Sequence, residues 1–429
     1  MEDHQYFMGM GLKDFKMKKY EPLTLLQLRK KLIPFLSLIV LLGCSSPSKK
    51  NIPSETLSAK DVQKRELKQA SFSGSGYELG MQHGQFFKKE IAEIVLKWKE
   101  STEAALARNS DEVLKEFLAY ADFERSIKKW TPELYEEVRG IAEGSEQRFD
   151  QIMVLNLLDE FWVYLNSIEN HHCSNIGVPS VNGSNSYIAQ NMDIEPYTDG
   201  YQTLFRIEAT SDRPEQLVLS HPGLIALNGM NSSGVGMILN TIMQLNASNS
   251  GLPVAFVTRK VLSMTERDDM IEFITSVNHA SGQNYILGVR GEVFNFEASA
   301  NKVVRFDPGN KNQTVYHTNH PIVNDDVKPW FAEFNPKEIA DTIAVTSNSY
   351  SRLAALTTRI ANADIVTDDL IKKALRSKDD PNNPVCRPLD PKRYSFTFSS
   401  LVMTLTGEPY LQITAGPPSE SEYLKVGFN

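Results

Sequence analysis

Apolar residues recur at helical spacing through the first part of the chain in which we expect regular structure. Between residues 77 and 170 they fall about every 3.6 positions, which is the repeat of one helix face. Ile91, Val95 and Trp98, for example, share such a face. We therefore predict a helical segment over residues 71–172.

Beyond residue 173 the pattern changes to short runs rich in Tyr, Ile, Val, Leu and Phe, which is typical of strands. Helical patterns interrupt these runs in pairs, so helices and strands come in blocks. Blocks favour an α+β fold, with two sheets face to face and helices outside, over a doubly wound parallel sheet. The predicted strands are 185–194, 202–209, 217–219, 224–228, 235–240, 284–289, 293–298, 302–306, 314–318, 396–405 and 410–415, and the predicted helices are 253–262, 268–277, 348–362 and 367–375.

An apolar run at residues 32–43 follows three basic residues and ends at Cys44. This pattern is typical of a secretory signal, and the run is short for a transmembrane helix. Its end resembles a bacterial lipobox, so we predict a lipoprotein signal peptide over 1–44, lipidation of Cys44 and a flexible tether over 45–70. The protein would then be exported and held on a bacterial cell-envelope membrane by its lipid anchor. The alternative is a buried helix that ends at a cysteine by chance.

Composition excludes several classes of protein. The 429 residues are 41% hydrophobic and 23% charged, as in an ordinary globular protein. The 45 Lys and Arg against 53 Asp and Glu give a net charge of −8, which disfavours nucleic-acid binding. Three cysteines are too few for a disulfide framework or a Cys-rich zinc site, and we predict no metal or organic cofactor. Gly74, Gly76 and Gly80 lack the spacing of a dinucleotide-binding loop and are predicted to set a turn before the first helix.

Cys173 stands where the helical pattern gives way to strands, directly after His171 and His172. Three structural interpretations are open: an inert buried cysteine, a disulfide with Cys386, or a metal ligand together with the histidines. The metal site is awkward, because adjacent side chains on an extended chain point to opposite sides. The disulfide fits an exported protein.

Several ordered motifs give Cys173 a further interpretation. These motifs are Gly74–Gly84, Tyr135–Gly144, Met153–Asn156, Glu160–Phe161, Cys173, Gly183, Gln190–Asp193, Asn228–Gly236 and His317–His320. Through them the chain from about residue 70 to 415 resembles the acyl-coenzyme A:6-aminopenicillanic acid acyltransferase family, which belongs to the N-terminal nucleophile (Ntn) hydrolases.

The resemblance implies an αββα four-layer sandwich preceded by the helical segment. It also implies that the precursor cuts itself at the His172–Cys173 bond, leaving a helical chain and a catalytic chain, residues 173–429, that stay associated. The cut has a chemical purpose. A free thiol has a pKa of ~8.5, and an α-amine with a pKa of ~7.7–8.0 can accept its proton, whereas an amide nitrogen cannot.

The resemblance also implies the partners of Cys173 in catalysis. Asp193 would hold the amine or thiol in position. Asn319 would donate to the oxyanion. Arg393 would be the active-site arginine, with Arg387 as a rival. Asn240 is a weaker candidate near the site.

These residues together predict an autoproteolytic cysteine hydrolase or acyltransferase that acts on a small-molecule linear amide through a thioester on Cys173. Two alternatives remain. One is a phospholipase B-like or ceramidase-like lipid hydrolase of the same fold, and the other is a binding lipoprotein without catalysis. The resemblance marks the machinery of the nucleophile rather than the acyl pocket, so it identifies neither the acyl chain nor the amine.

Overall fold

The computed structural model describes residues 65–165, 172–333, 348–390 and 393–429. The predicted signal peptide, Cys44 and the tether up to residue 64 lie outside these residues, as does His171. None of the described helices is both long enough and apolar enough to cross a membrane.

The described part of the helical segment contains seven helices, in the region whose apolar spacing predicts helical structure. The first begins with a capping box, in which the Ser75 side chain accepts from the Glu78 backbone and the Glu78 carboxylate accepts from the Ser75 backbone. Asn109 caps the third helix in a similar way. The helices are α1 (Gly76–Phe86), α2 (Lys88–Leu106), α3 (Ser110–Tyr120), α4 (Glu124–Trp130), α5 (Pro132–Ser145), α6 (Phe149–Leu155) and α7 (Leu158–Tyr164).

The larger sheet has eight strands in the order β1, β4, β5, β6, β7, β8, β9, β10. Every pairing is antiparallel except that of β1 with β4, which is parallel over five residue pairs. The strands are β1 (Lys68–Phe72), β4 (Thr203–Ile207), β5 (Gln216–Ser220), β6 (Asn228–Asn231), β7 (Val235–Thr241), β8 (Gln283–Val289), β9 (Glu292–Ala298) and β10 (Val303–Arg305).

The smaller sheet has six antiparallel strands in the order β11, β2, β3, β12, β13, β14. They are β2 (Ser174–Val178), β3 (Tyr187–Ile194), β11 (Val315–His317), β12 (Phe396–Thr404), β13 (Tyr410–Ile413) and β14 (Leu424–Gly427). Two of the later helices lie between β7 and β8 in the chain: α8 (Val254–Val261) and α9 (Arg267–Ser276). Three more lie between β11 and β12: α10 (Pro329–Ala332), α11 (Asn348–Ile360) and α12 (Asp368–Leu375).

The two sheets pack face to face around a buried apolar layer to which both contribute, including Ile188 from β3 and Ile286 from β8. The outer face of the larger sheet is covered by the N-terminal helices and α8 and α9, in one continuous core. The outer face of the smaller sheet packs against α11 and α12. This order of layers confirms the predicted α+β fold, an αββα four-layer sandwich with an N-terminal helical segment.

Some local predictions were wrong. Residues 68–70, assigned to the tether, pair with β4, and β2 and β14 were not predicted. Residues 224–227 form an irregular segment instead of a strand. Gly76 and Gly80 lie inside α1 rather than in a turn, whereas Gly74, with φ of +98°, does precede the helix in a turn-like conformation.

Candidate active site

Cys173 lies directly before β2 and is buried, with 5% of its surface exposed. The register of β2 against β3 pairs Ser174 with Asn191, so Cys173 lies beside the end of β3. Its Sγ is 3.5 Å from Sδ of Met192. The backbone N–H of Asp193 points at the thiol, and this contact favours the thiolate.

Burial nevertheless dominates the chemistry of the thiol in the uncut chain. Burial, and to a lesser extent the negative charge of Asp193, raise the pKa of Cys173 to about 12, although the charge of Arg352 opposes the shift. With an amide nitrogen before it, the thiol therefore stays protonated at neutral pH.

Asp193 is also fully buried, and burial raises the pKa of its carboxyl group to about 7. Arg387 and Arg352 offset part of this effect by their charges, and Thr397 by its side chain. The Arg387 Nε atom is 3.5 Å from Oδ2. Within the described residues, neither carboxyl oxygen accepts a hydrogen bond of good geometry.

Arg352 of α11 connects Cys173, the predicted nucleophile, to the predicted oxyanion donor, and the sequence analysis missed it. Its Nη1 donates to the backbone oxygen of Cys173 and to Ser174 Oγ at 3.0 Å. Its Nη2 donates to Asn319 Oδ1 at 2.8 Å, and its Nε donates to Asn348 Oδ1 at 2.6 Å. The guanidinium is completely buried, and burial lowers its pKa to about 9, so it remains charged at neutral pH.

A signal for Arg352 does exist in the sequence. It falls on the buried stripe of α11 together with Ser349, Leu356 and Ile360, at spacings of three and four residues. A charged residue on an apolar stripe needs partners in the core, and this marks it as a site candidate.

Asn319 follows β11 and is held at both ends of its amide. Its Oδ1 accepts from Arg352, and its Nδ2 donates to the backbone oxygen of Thr241 at 3.0 Å. The amide group carries two hydrogens, so one is left for a further acceptor.

The structure brings Arg387, rather than Arg393, to Asp193. Arg393 donates to the backbone oxygens of Pro381 at 2.9 Å and Asn382 at 3.4 Å and lies 3.6 Å from Asp390. Its predicted position in the site is therefore corrected in favour of its rival. Arg387 reaches Asp193 because its backbone N–H bonds to the side chain of Thr397, the residue that pairs with Asp193 between β12 and β3.

Asn240 lies behind the site, where its side chain hydrogen-bonds to neighbouring residues. Its Nδ2 donates to Nδ1 of His317 at 3.0 Å and to the backbone oxygen of Thr318, and its Oδ1 accepts from Asn175 at 2.7 Å. Both amide hydrogens are therefore used, which leaves none for an oxyanion. On its other side, His317 Nε2 lies 2.9 Å from Glu297.

Two structural alternatives for Cys173 can be compared with the geometry. Cys173 and Cys386 are both free and buried, so the disulfide between them is absent. Among the described residues no group of three or more His, Cys, Asp or Glu side chains could hold a metal ion. The Sγ atom of Cys386 instead lies 3.3 Å from Oγ of Ser419.

A mostly apolar cavity adjoins Cys173 through Met192. Helices α6 and α7, the end of β3, the turn after β5, β7 and the start of α8 all contribute to it. Its lining is Leu155, Asn156, Leu158, Asp159, Trp162, Met192, Ile194, Glu195, His221, Leu224, Ala226, Leu227, Leu239, Val254 and Ala255.

Comparisons with known proteins place the chain in a family. The profile of the acyl-coenzyme A:6-aminopenicillanic acid acyltransferase family matches residues 181–409. The chain is 26% identical over 265 residues to the 40 kDa form of acyl-coenzyme A:6-aminopenicillanic-acid-acyltransferase from Emericella nidulans, covering 61% of this chain and 71% of that protein.

Solved structures with similarity include a mutant of conjugated bile acid hydrolase from Clostridium perfringens, at 15% identity and a TM-score of 0.39, covering 60% of this chain and 97% of that one. Penicillin V acylase from Agrobacterium tumefaciens matches at 13% identity and a TM-score of 0.37, covering 60% and 86%. Because the family profile spans more than half of the 429 residues, the protein belongs to the acyl-coenzyme A:6-aminopenicillanic acid acyltransferase family.

Proposed function

We propose that the protein is a self-processing cysteine amidohydrolase or acyltransferase, which cuts its own chain before Cys173 and then attacks a linear amide with the same residue. The carrying observation is the buried Asp193 carboxyl group beside Cys173: Arg387 lies 3.5 Å from one of its oxygens, but neither oxygen accepts a hydrogen bond of good geometry among the described residues. A buried carboxyl group with incomplete hydrogen bonding is costly, and a new α-ammonium group on Cys173 would supply a further donor.

Self-cleavage uses the groups already in place. Cys173 Sγ attacks the carbonyl carbon of His172, and the C–N bond between the two residues breaks. The nitrogen takes the thiol proton and becomes the α-amine of Cys173, while the His172 acyl group is carried on sulfur as a thioester. Water then hydrolyses the thioester, which frees the thiol and leaves a carboxyl group on His172.

The cut changes which group holds the thiol proton. In the uncut chain the pKa of Cys173 is about 12. A free α-amine has an ordinary pKa of ~7.7–8.0 and can take this proton as the thiol attacks. The nearby Asp193 carboxylate would hold the resulting ammonium, and Arg387 keeps that carboxylate oriented.

Turnover of an amide follows the same steps. The thiol attacks the acyl carbon and its proton passes to the α-amine. The remaining N–H of Asn319 would donate to the oxyanion, with Arg352 fixing the orientation of the amide. The substrate C–N bond breaks, the amine leaves with a proton from the α-ammonium, and water hydrolyses the thioester. An amine or thiol acceptor in place of water would give acyl transfer, but we favour hydrolysis because coenzyme A thioesters are cytoplasmic and we predict export.

A pair of cysteine variants tests the proposal. We expect the wild-type protein to run as two fragments in denaturing electrophoresis, with a mass that places the break before Cys173, and to hydrolyse a set of N-acyl amides. Cys173→Ala should give one band and no hydrolysis. Cys386→Ala is the matched control, because it removes the other buried thiol, and it should behave like the wild type.

Two results would contradict the proposal. One is processing or hydrolysis by Cys173→Ala, and the other is full activity from an uncut wild-type chain. An uncut and inactive wild-type protein would favour the non-catalytic binding protein instead. The lipid anchor on Cys44 is a separate proposal that rests on the sequence, and an intact mass of the N-terminal fragment tests it.

A further inference from the structure

The cavity next to Cys173 is placed to receive the acyl group of the substrate. Met192 forms part of its wall, and the Met192 sulfur is in contact with Cys173 Sγ. A methionine side chain is unbranched and flexible, so it can move aside for a chain that enters from the sulfur. Glu195, near the end of the same strand as Met192, is another lining residue, so the wall continues along the chain away from the thiol.

Most of the wall is apolar and comes from both sides of the proposed cleavage site. The helical segment supplies the apolar residues Leu155, Leu158 and Trp162. Residues 173–429 supply the other apolar residues, such as Leu224 and Leu239. The cavity offers about 50 Å³ of space. Such a space suits a short hydrocarbon chain better than a long fatty acyl chain.

Two of the four polar residues in the wall are fully engaged by the protein. Asn156 donates to Ile152 and Gly223 and accepts from the backbone of Ile225. Asp159 accepts from Thr241 Oγ1 at 2.7 Å and from a glutamine side chain. These two side chains help to shape the cavity, and both already have hydrogen-bond partners within the protein.

The other two polar residues offer acceptors. His221 is completely buried, and its Nδ1 lies 3.0 Å from the backbone oxygen of Pro222. A carbonyl only accepts, so Nδ1 carries the proton and Nε2 is an acceptor, for which the described residues supply no donor. Glu195, 8% exposed, follows the last residue of β3, with the Trp162 indole near its carboxyl group. The described residues that line the cavity include no Lys or Arg.

Building on the proposed function, we propose that the acyl group is a short apolar chain that carries a hydrogen-bond donor, a hydroxyl or an ammonium group, at the end remote from the scissile carbonyl. His221 Nε2 and the Glu195 carboxyl group accept from this donor. Glu195 lies three residues beyond Met192, roughly 10 Å of extended chain, so the donor would sit well away from the thiol.

A series of amides that share one amine tests the acyl preference. The probes are the 4-nitroanilides of hexanoic, 6-hydroxyhexanoic, 6-aminohexanoic and dodecanoic acids, and kcat/KM is measured for each. We expect one of the two donor-bearing chains to exceed hexanoyl at least tenfold, because an unpaired buried acceptor disfavours a methyl group. Dodecanoyl should be the poorest. A preference for the hydroxyl or the ammonium identifies the donor.

Glu195→Gln should reduce the preference for the donor-bearing chain over hexanoyl at least fivefold. Glu137→Gln is the matched control, since Glu137 is also buried but lies outside the cavity, beside Arg259. It should leave the ratio unchanged. A ratio of kcat/KM values does not depend on the fraction of folded enzyme, so lost stability cannot imitate the effect.

The outcomes separate this inference from the proposed function. Hydrolysis with equal or higher kcat/KM for hexanoyl or dodecanoyl, or an unchanged preference in Glu195→Gln, overturns the inference and leaves the nucleophile in place. If no anilide is hydrolysed, the proposed function is at fault, and calorimetry with the matching primary amides still tests the cavity. Tighter binding of the donor-bearing amide supports the inference, and equal or tighter binding of hexanamide overturns it.

Discussion

At the scale of single residues, one buried cation contacts both the proposed nucleophile and the proposed oxyanion donor. Arg352 binds the backbone oxygen of Cys173 and the side-chain oxygen of Asn319. A planar guanidinium can hold these two groups in fixed relative positions, whereas a lysine offers a single ammonium. We regard Arg352 as a positioning residue, because it acts on the reaction through the orientation of its partners.

Arg352→Lys should therefore lower kcat for amide hydrolysis by roughly tenfold to a hundredfold with little change in KM, since it disturbs a donor to the transition state more than substrate binding. Steady-state kinetics with a good amide substrate measure the split. Arg393→Lys, at the arginine that the sequence favoured, should leave both constants nearly unchanged. A large fall in kcat for Arg393→Lys would restore that residue to the site.

A second residue-scale prediction concerns Glu160, a buried acid in the helical segment. Its Oε1 accepts from the backbone of Val254 and from Ser281, whereas Oε2 lacks a partner among the described residues. Burial, and then the charge of Asp159, raises the pKa of Glu160 to about 7. Between its ordinary and its raised pKa the folded protein holds a proton that the unfolded chain has lost. This group's contribution to stability therefore falls as the pH rises from about 4.5 to about 7.

Glu160→Gln removes that dependence, because the amide is neutral at every pH and its oxygen can keep the bonds to Val254 and Ser281. We expect the Tm of the variant, relative to wild type in the same processing state, to be higher at pH 8 than at pH 5. The difference corresponds to on the order of 2 kcal/mol. Thermal unfolding at both pH values measures it. The exposed Glu408→Gln serves as control, and a variant that tracks wild type at both pH values would refute the assignment.

At the scale of elements, helices α1 and α5 pack backbone against backbone through glycines. A Cβ at Gly80 would lie 1.9 Å from the backbone oxygen of Glu137, and one at Gly140 would lie 2.3 Å from that of Tyr77. Neither contact can be relieved by moving a flexible side chain. These glycines therefore permit the close approach that holds the two helices together.

Gly80→Ala should lower the free energy of unfolding by roughly 2–3 kcal/mol. Alanine favours a helix by up to about 1 kcal/mol over glycine, but the clash with the neighbouring backbone outweighs this gain. Urea unfolding measures the change. Gly309→Ala is the control, since no atom lies within 4 Å of its added Cβ, and it should be nearly neutral. Equal stability of the two variants would show that the helices can separate at little cost.

At the scale of the whole molecule, the helical segment and residues 173–429 share one core. Strand β1 pairs with β4 over five residues, so the larger sheet contains chain from both sides of Cys173. Buried bonds also cross between the segments, as when the backbone N–H of Gly223 donates to His83 Nε2 at 2.9 Å. His83 thus packs the helices against the sheets.

We accordingly expect the two proposed fragments to stay together after cleavage. In native gel filtration they should elute as one species at the volume of the uncut Cys173→Ala protein, because separation would expose the shared apolar core. They should separate only in concentrations of urea that also unfold the protein, as followed by circular dichroism. Free fragments in native buffer would contradict a shared core.

The sequence by itself determined the layered α+β fold and identified Cys173, Asp193 and Asn319 as candidates. Helical and strand periods are local patterns, and the motifs around these residues are short and contiguous, so neither needs knowledge of distant contacts. The β1 strand was not predicted, because a five-residue run has little hydrophobic pattern of its own. It is defined by its pairing with a strand about 130 residues away.

Only the tertiary structure decided which arginines reach the site. Arg387 and Arg393 lie six positions apart, and the packing of the chain against β12 selects Arg387 for Asp193. Arg352 meets Cys173 across 179 positions of sequence. Such contacts arise from the packing of sheets and helices, which fixes distances that the order of residues along the chain does not encode locally.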